Sequence, residues 1–202
     1  MDPSSEFERL MDIMPASGRM LTKIVSRPEQ AAVVVTDFPR PWDKNRPLKI
    51  NFDRWSQLSR PQRDLMLLRS VSWLTGFKLL KPDLYQGLGL AGILGTVVEL
   101  IQGDAVGVLA AGGLSAIAGL QLWRSSRGPR AEIEADETAI RVAQRRGYTE
   151  VEAARHLLGA IETIARIEER PGMNFTELIR CQNLRAIAGI SGVGVPENVR
   201  KL

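Results

Sequence analysis

The chain has 202 residues, is 44% apolar and 25% charged, and carries a net charge of +4, a size and balance that exclude wholesale disorder and allow one domain, or one domain with a membrane appendage. Aromatic residues make up only 5% and no long Lys/Arg block is present, so neither a nucleic-acid arm nor a base-stacking surface is indicated. The single cysteine, Cys181, excludes an internal disulfide and a cysteine-based metal site.

The N-terminal stretch MDPSSEFERLMD is acidic and amphipathic, and resembles neither a signal peptide nor an Arg-rich transit peptide. Ser5 and Glu8 have capping-box spacing, and Phe7, Leu10, Met11 and Met14 follow at helical intervals up to Pro15. The segment RMLTKIVS is expected to continue helically. AAVVVTDF (31–38) and LKINFD (48–53) are expected as two strands of an antiparallel hairpin, joined by the Pro-rich loop 39–47. Ser59 and Gln62 form a second capping pattern, with Pro61 in the first turn of a largely buried helix running to Phe77.

Composition then changes. Residues 84–122 contain no Lys or Arg and divide at Gln102-Gly103-Asp104 into two apolar halves, the second of them free of charge over 105–122. Each half is close to the length needed to cross a hydrocarbon core, so a transmembrane helical hairpin is expected over 84–123. Lys78 and Lys81 precede it, and Arg124, Arg127 and Arg130 follow, which places both long ends on the cytoplasmic side by the positive-inside rule. Tyr85 and Trp123 fall at the open ends, where an interfacial aromatic belt would hold them. Gly107, Ala111, Ser115 and Gly119 recur every four residues, as do Gly87, Ala91 and Gly95, a spacing that lets helices approach closely in lipid. A buried helical hairpin in a soluble protein is the competing explanation of the same segment.

Downstream, AEIEADETAIRVAQRR and TEVEAARHLLGAIETIARIEE are expected as two helices broken at Gly147-Tyr148, the second opened by a Thr149/Glu152 capping box. PGMNFTELIRCQNLRAIAG supplies a last helix, and residues 190–202 form a loose tail. The organisation is therefore 1–83, 84–123, 124–189 and 190–202. No P-loop, dinucleotide fingerprint or Ser-His-Asp spacing occurs.

The order strand 48–53, helix 60–77, apolar hairpin, then Glu132-Ile-Glu-Ala-Asp136 resembles that of the membrane zinc metalloproteases of the CaaX-prenyl-protease and HtpX type. More closely, the chain resembles a small uncharacterised cyanobacterial membrane protein family. The resemblance covers roughly residues 31 to 165 and implies an α+β, mainly helical fold: a zincin-like helical domain with a small β-hairpin and an inserted transmembrane helical hairpin. In those proteases a helix carries HExxH, whose imidazoles bind zinc and whose Glu acts as general base. Laid on that motif, Arg69 and Trp73 stand at the histidine positions and Ser70 at the base, while Glu132 holds the third-ligand position and Asp136 the position supporting it. A guanidinium has no lone pair to give a metal, and neither has an indole.

These degenerate positions imply no catalytic residue, no metal and no cofactor. Arg69 is expected to supply the missing positive charge by pairing with Glu132 or Asp136. The function expected is that of a non-catalytic, membrane-anchored pseudoprotease acting as a binding, scaffold or assembly protein. It would be integral and two-pass with cytoplasmic termini, in a thylakoid or plasma membrane. Its partners would be membrane lipid and another membrane protein or an extended peptide, held on the edge strand 31–38 or 48–53 by β-addition, and not nucleic acid. The alternatives are an active hydrolase with a rebuilt site using His156, Glu132 and Asp136, and a soluble structural helical domain.

Overall fold

The computed structural model describes residues 2–39, 43, 45–76 and 128–196, together with the single positions 94, 97, 101, 113 and 199. The chain divides into two compact units, one formed by residues 1–77 with 129–202 and the other by 78–128. In the second unit, Leu94, Val97, Ile101 and Gly113 are helical and exposed.

The first unit begins with α1, Pro3–Ile13, which is capped by Asp2 and not by Ser5: the Asp2 carboxylate accepts from the Ser4 and Ser5 amides. Asp2 reaches the free amides while Pro3, which has none to offer, starts the helix. A short α2, Ala16–Leu21, runs directly into β1, Thr22–Ser26. The expected helical continuation of RMLTKIVS is thus corrected halfway along. Thr22, Ile24 and Val25 are β-branched, and their pairing partner lies more than twenty residues away, outside the reach of local pattern.

β2 is Val34–Thr36 and β3 is Arg46–Ile50. The two pair antiparallel, Val34 opposite Ile50 and Thr36 opposite Leu48. β1 runs parallel to β3, Thr22 opposite Arg46 and Ser26 opposite Ile50, so the sheet order is β1-β3-β2. The strand expected at 48–53 is therefore central and offers no edge. It stops at Ile50 because the Asn51 side chain turns the chain, accepting from the Asp53 and Arg54 amides to cap α3, Phe52–Trp55. The Asn51 amide group also donates to the Pro28 and Gln30 carbonyls, fastening the crossover to the sheet.

Helix α4, Arg60–Gly76, is the core of the unit. Leu65, Leu67, Leu68, Val71 and Leu74 are at most 1% exposed, on several sides of the helix, because other elements pack all round it. Burial of each such side chain contributes about 1.5–3 kcal/mol. α5 (Pro129–Gln144), α6 (Glu150–Ile167) and α7 (Phe175–Ile187) complete the bundle. Fully buried Ala139, Ala143, Ala153, Ala154 and Ala160 let these helices approach closely. Gly18 does the same for α2: a Cβ there would stand 2.5 Å from Val71 Cγ1. Between α5 and α6 the turn passes through Gly147 at φ +95, and Thr149 and Glu152 make the expected reciprocal capping box. Asn174 and Glu177 make another at the start of α7.

Two expectations about architecture need correction. Among the described residues no helix is long and apolar enough to cross a membrane. The longest, α6, has 18 residues but carries Glu150, Glu152, Arg155, Glu162 and Arg166, and its apolar stripe is spent on the core. The integral two-pass placement is overturned on that ground. The 84–123 hairpin, with Lys78, Lys81, Tyr85, Trp123, Arg124 and Arg127, lies outside the described residues apart from the positions named above. The zincin-like framework is the second correction. The unit is mainly helical with a small three-stranded mixed sheet, and α4 and α5 are joined by apolar packing and by an arginine–carboxylate network.

Candidate functional site

Glu132 and Asp136 sit four residues apart on α5 and so share one face, opposite Arg69 of α4. Arg69 makes an ion pair with Glu132, and its Nε lies 3.6 Å from Asp136 Oδ1. A fourth residue, Arg180 of α7, closes the group. Its Nε and Nη2 donate to Asp136 Oδ2 and Oδ1, both at 2.8 Å, and its Nη1 lies 3.9 Å from Glu132. Two guanidiniums and two carboxylates thus form a charge-balanced quartet that pins three helices together. Asp136 is sealed from water at 1% side-chain exposure, whereas Glu132, at 19%, forms the rim.

Burial is the largest influence on Arg69 and, with the nearby Arg180 charge, lowers its pKa to about 9 against the pull of Asp136. Burial also acts downward on Arg180, but the Asp136 carboxylate outweighs it and the pKa rises. Both guanidiniums therefore stay charged at neutral pH.

This donor set does not suit zinc. A catalytic zinc takes three protein ligands with lone pairs, and here two arginines face the two carboxylates. Among the described residues, no three His, Cys, Asp or Glu side chains gather closely enough to hold a metal ion. Ser70 is 1% exposed, and its hydroxyl has no hydrogen-bond partner among the described residues. Trp73 packs edge-on to Phe38, with ring centroids 6.1 Å apart. His156 meets Tyr148 in the same manner, also at 6.1 Å. Burial pushes the Cys181 thiol up to about 11, and its sulfur lies 3.7 Å from that of Met173, so it is an inert core residue.

A second network, not foreseen in the sequence, lies at the other end of α4. Glu6 is buried and accepts from Arg9 Nε and Nη2 at 2.9 and 2.7 Å and from Trp55 Nε1 at 3.2 Å, with Arg63 Nε at 3.0 Å. Arg9 reaches across to Asp64, and Asp64 also accepts from the Tyr148 hydroxyl at 2.8 Å. Burial and that bond hold the Tyr148 phenol neutral, with a pKa of about 12. Beside this network a cleft of about 420 Å³ opens, lined by Asp12, Ile13, Arg60, Asp64, Arg146, Gly147 and Tyr148.

A helical unit with a small mixed sheet, braced by two buried arginine–carboxylate networks, is the class of protein that this fold and site define. The chain belongs to the DUF3318 family, described as proteins of unknown function, whose model matches residues 8–148. It is also 32% identical over 127 residues to a protein of Synechocystis sp. named a thylakoid membrane protein. The aligned part covers 61% of this chain and 59% of that relative's length. No solved structure matches. The metalloprotease resemblance finds no support in these comparisons, and the uncharacterised cyanobacterial one does.

Proposed function

We propose that this chain is a non-catalytic binding protein that acts in assembly at a thylakoid membrane. The observation carrying this is the quartet: both carboxylates at the positions where a metal would be held, Glu132 and Asp136, are already held by guanidiniums. Freeing Asp136 for chemistry would leave Arg180 buried and unpaired, at a cost of about 3–5 kcal/mol. The membrane setting comes from the name of the Synechocystis relative, and the partner proposed is another membrane protein or an extended peptide. β2 supplies a strand at the end of the sheet order on which an extended segment could add.

The test has two arms. Purified chain, assayed on unstructured peptides with and without added zinc, should show no cleavage. Tagged chain expressed in a cyanobacterium should sediment with washed thylakoid membranes and, after detergent solubilisation, carry a reproducible membrane protein that an unrelated tagged control does not. Stoichiometric zinc together with chelator-sensitive peptide cleavage would overturn the non-catalytic reading. Recovery only in the aqueous fraction would overturn the membrane setting.

A further inference from the structure

The cleft at the N-terminal end of α4 is chemically unlike the quartet and stands apart from the reading above. Three segments build it: the end of α1 with Asp12 and Ile13, the start of α4 with Arg60 and Asp64, and the α5–α6 turn with Arg146, Gly147 and Tyr148. Its volume of about 420 Å³ lies in the range of small-molecule sites. Four lining residues are charged, but they are not equivalent. Asp64 is already neutralised, since it takes Arg9 and the Tyr148 hydroxyl. Arg146 spends its donors weakly, on the Ile13 and Met14 carbonyls at 3.2 and 3.4 Å. Arg60 makes no ion pair among the described residues, yet it is close enough to Tyr148 to act on its phenol. What remains for a visitor is therefore two guanidiniums against one carboxylate, Asp12, with the Ile13 side chain and the Tyr148 ring as apolar walls.

We propose that this cleft binds a small organic oxyanion, a phosphate monoester or a carboxylate, with the anionic group between Arg60 and Arg146 and an apolar body against Ile13 and Tyr148. Arginine suits this task because its planar fork matches the oxygens of either group. The turn is preorganised for it: Gly147 holds a backbone conformation that other residues rarely adopt, and Tyr148 is fixed through Asp64. The site would also give a task to two arginines that stand beside a network that is already neutral.

The experiment titrates phenyl phosphate, benzoate, inorganic phosphate and neutral benzyl alcohol into the full chain, following the Gly147 and Tyr148 amide resonances. Phenyl phosphate or benzoate should give a saturable shift, tighter than inorganic phosphate, and benzyl alcohol should give none. Whichever of the two organic anions binds more tightly identifies the oxyanion class. Arg60→Gln, which breaks no ion pair or side-chain hydrogen bond among the described residues, should weaken binding about tenfold. Asp12→Asn should tighten it, because it removes the one opposing charge. Absence of a saturable shift with every anion, or equal affinity in wild type and Arg60→Gln, would overturn the proposal. Arg155→Gln, on the exposed side of α6, serves as the charge control and should change nothing.

Discussion

Asp136 and Arg180 are the residues on which the central network turns. A bidentate bond at two distances of 2.8 Å, with 1% and 8% of the side chains exposed, leaves neither partner an alternative in water. Such a pair adds little over a well-packed apolar substitute, but removing one side is severe. Asp136→Asn should therefore destabilise by about 3–5 kcal/mol in urea denaturation. Arg69→Met should also be destabilising, because it strands Glu132. Adding Glu132→Gln should recover much of that loss, since charge leaves in a matched pair. A double variant no more stable than Arg69→Met alone would show that the contact between Arg69 and Glu132 contributes nothing. Arg180 makes pairwise matching necessary: neutralising both carboxylates at once would leave it bare.

At the scale of elements, α4 is the member against which the others are fitted. It meets α2 at Gly18, and there the fit is tight enough to measure. Gly18→Ala would drive a methyl into Val71 Cγ1, and Val71 has little rotamer freedom with which to yield. The expected cost is about 1–3 kcal/mol, read as a lowered denaturation midpoint, and Val71→Ala in the same chain should return part of it. A midpoint unchanged by Gly18→Ala would show that α2 moves away freely. The α5–α6 turn offers a milder case. Thr149 accepts from the Glu152 amide at 3.2 Å, and Thr149→Ala should cost about 1 kcal/mol.

At the largest scale, the unit formed by residues 1–77 and 129–202 is an apolar bundle cross-tied, among the described residues, by two neutral charge networks, one at α4–α5–α7 and one at α1–α4 with Tyr148. No described group requires a cation to balance it. Addition of a chelator should leave the thermal midpoint unchanged to within ~1 °C, since a ligand that does not bind contributes no linkage term. A larger fall, restored by zinc, would mean that a metal does hold the fold.

Much of this was legible from residue order. The α4 helix, the α5–α6 break at Gly147, the Thr149 capping box and the pairing of segment 34–36 with 48–50 follow from spacing and turn chemistry, which act over a few residues. The shared face of Glu132 and Asp136 follows from helical periodicity in the same way. The partners of those carboxylates do not. Arg180 lies forty-four residues from Asp136, and no local pattern marks it among 27 basic residues. β1 was hidden for the same reason, since its ladder depends on a strand beyond the next one. Glu6, Arg9, Asp64 and Tyr148 look like ordinary surface polars until the fold buries them together. Sequence by itself determined the long helices α4 to α7 and the shared face of Glu132 and Asp136, because spacing and caps are local free energies, but it misassigned Thr22–Ser26 and Phe52–Trp55. The tertiary structure alone decided which charges meet, because a buried ion is stabilised only by the particular group that packing sets against it.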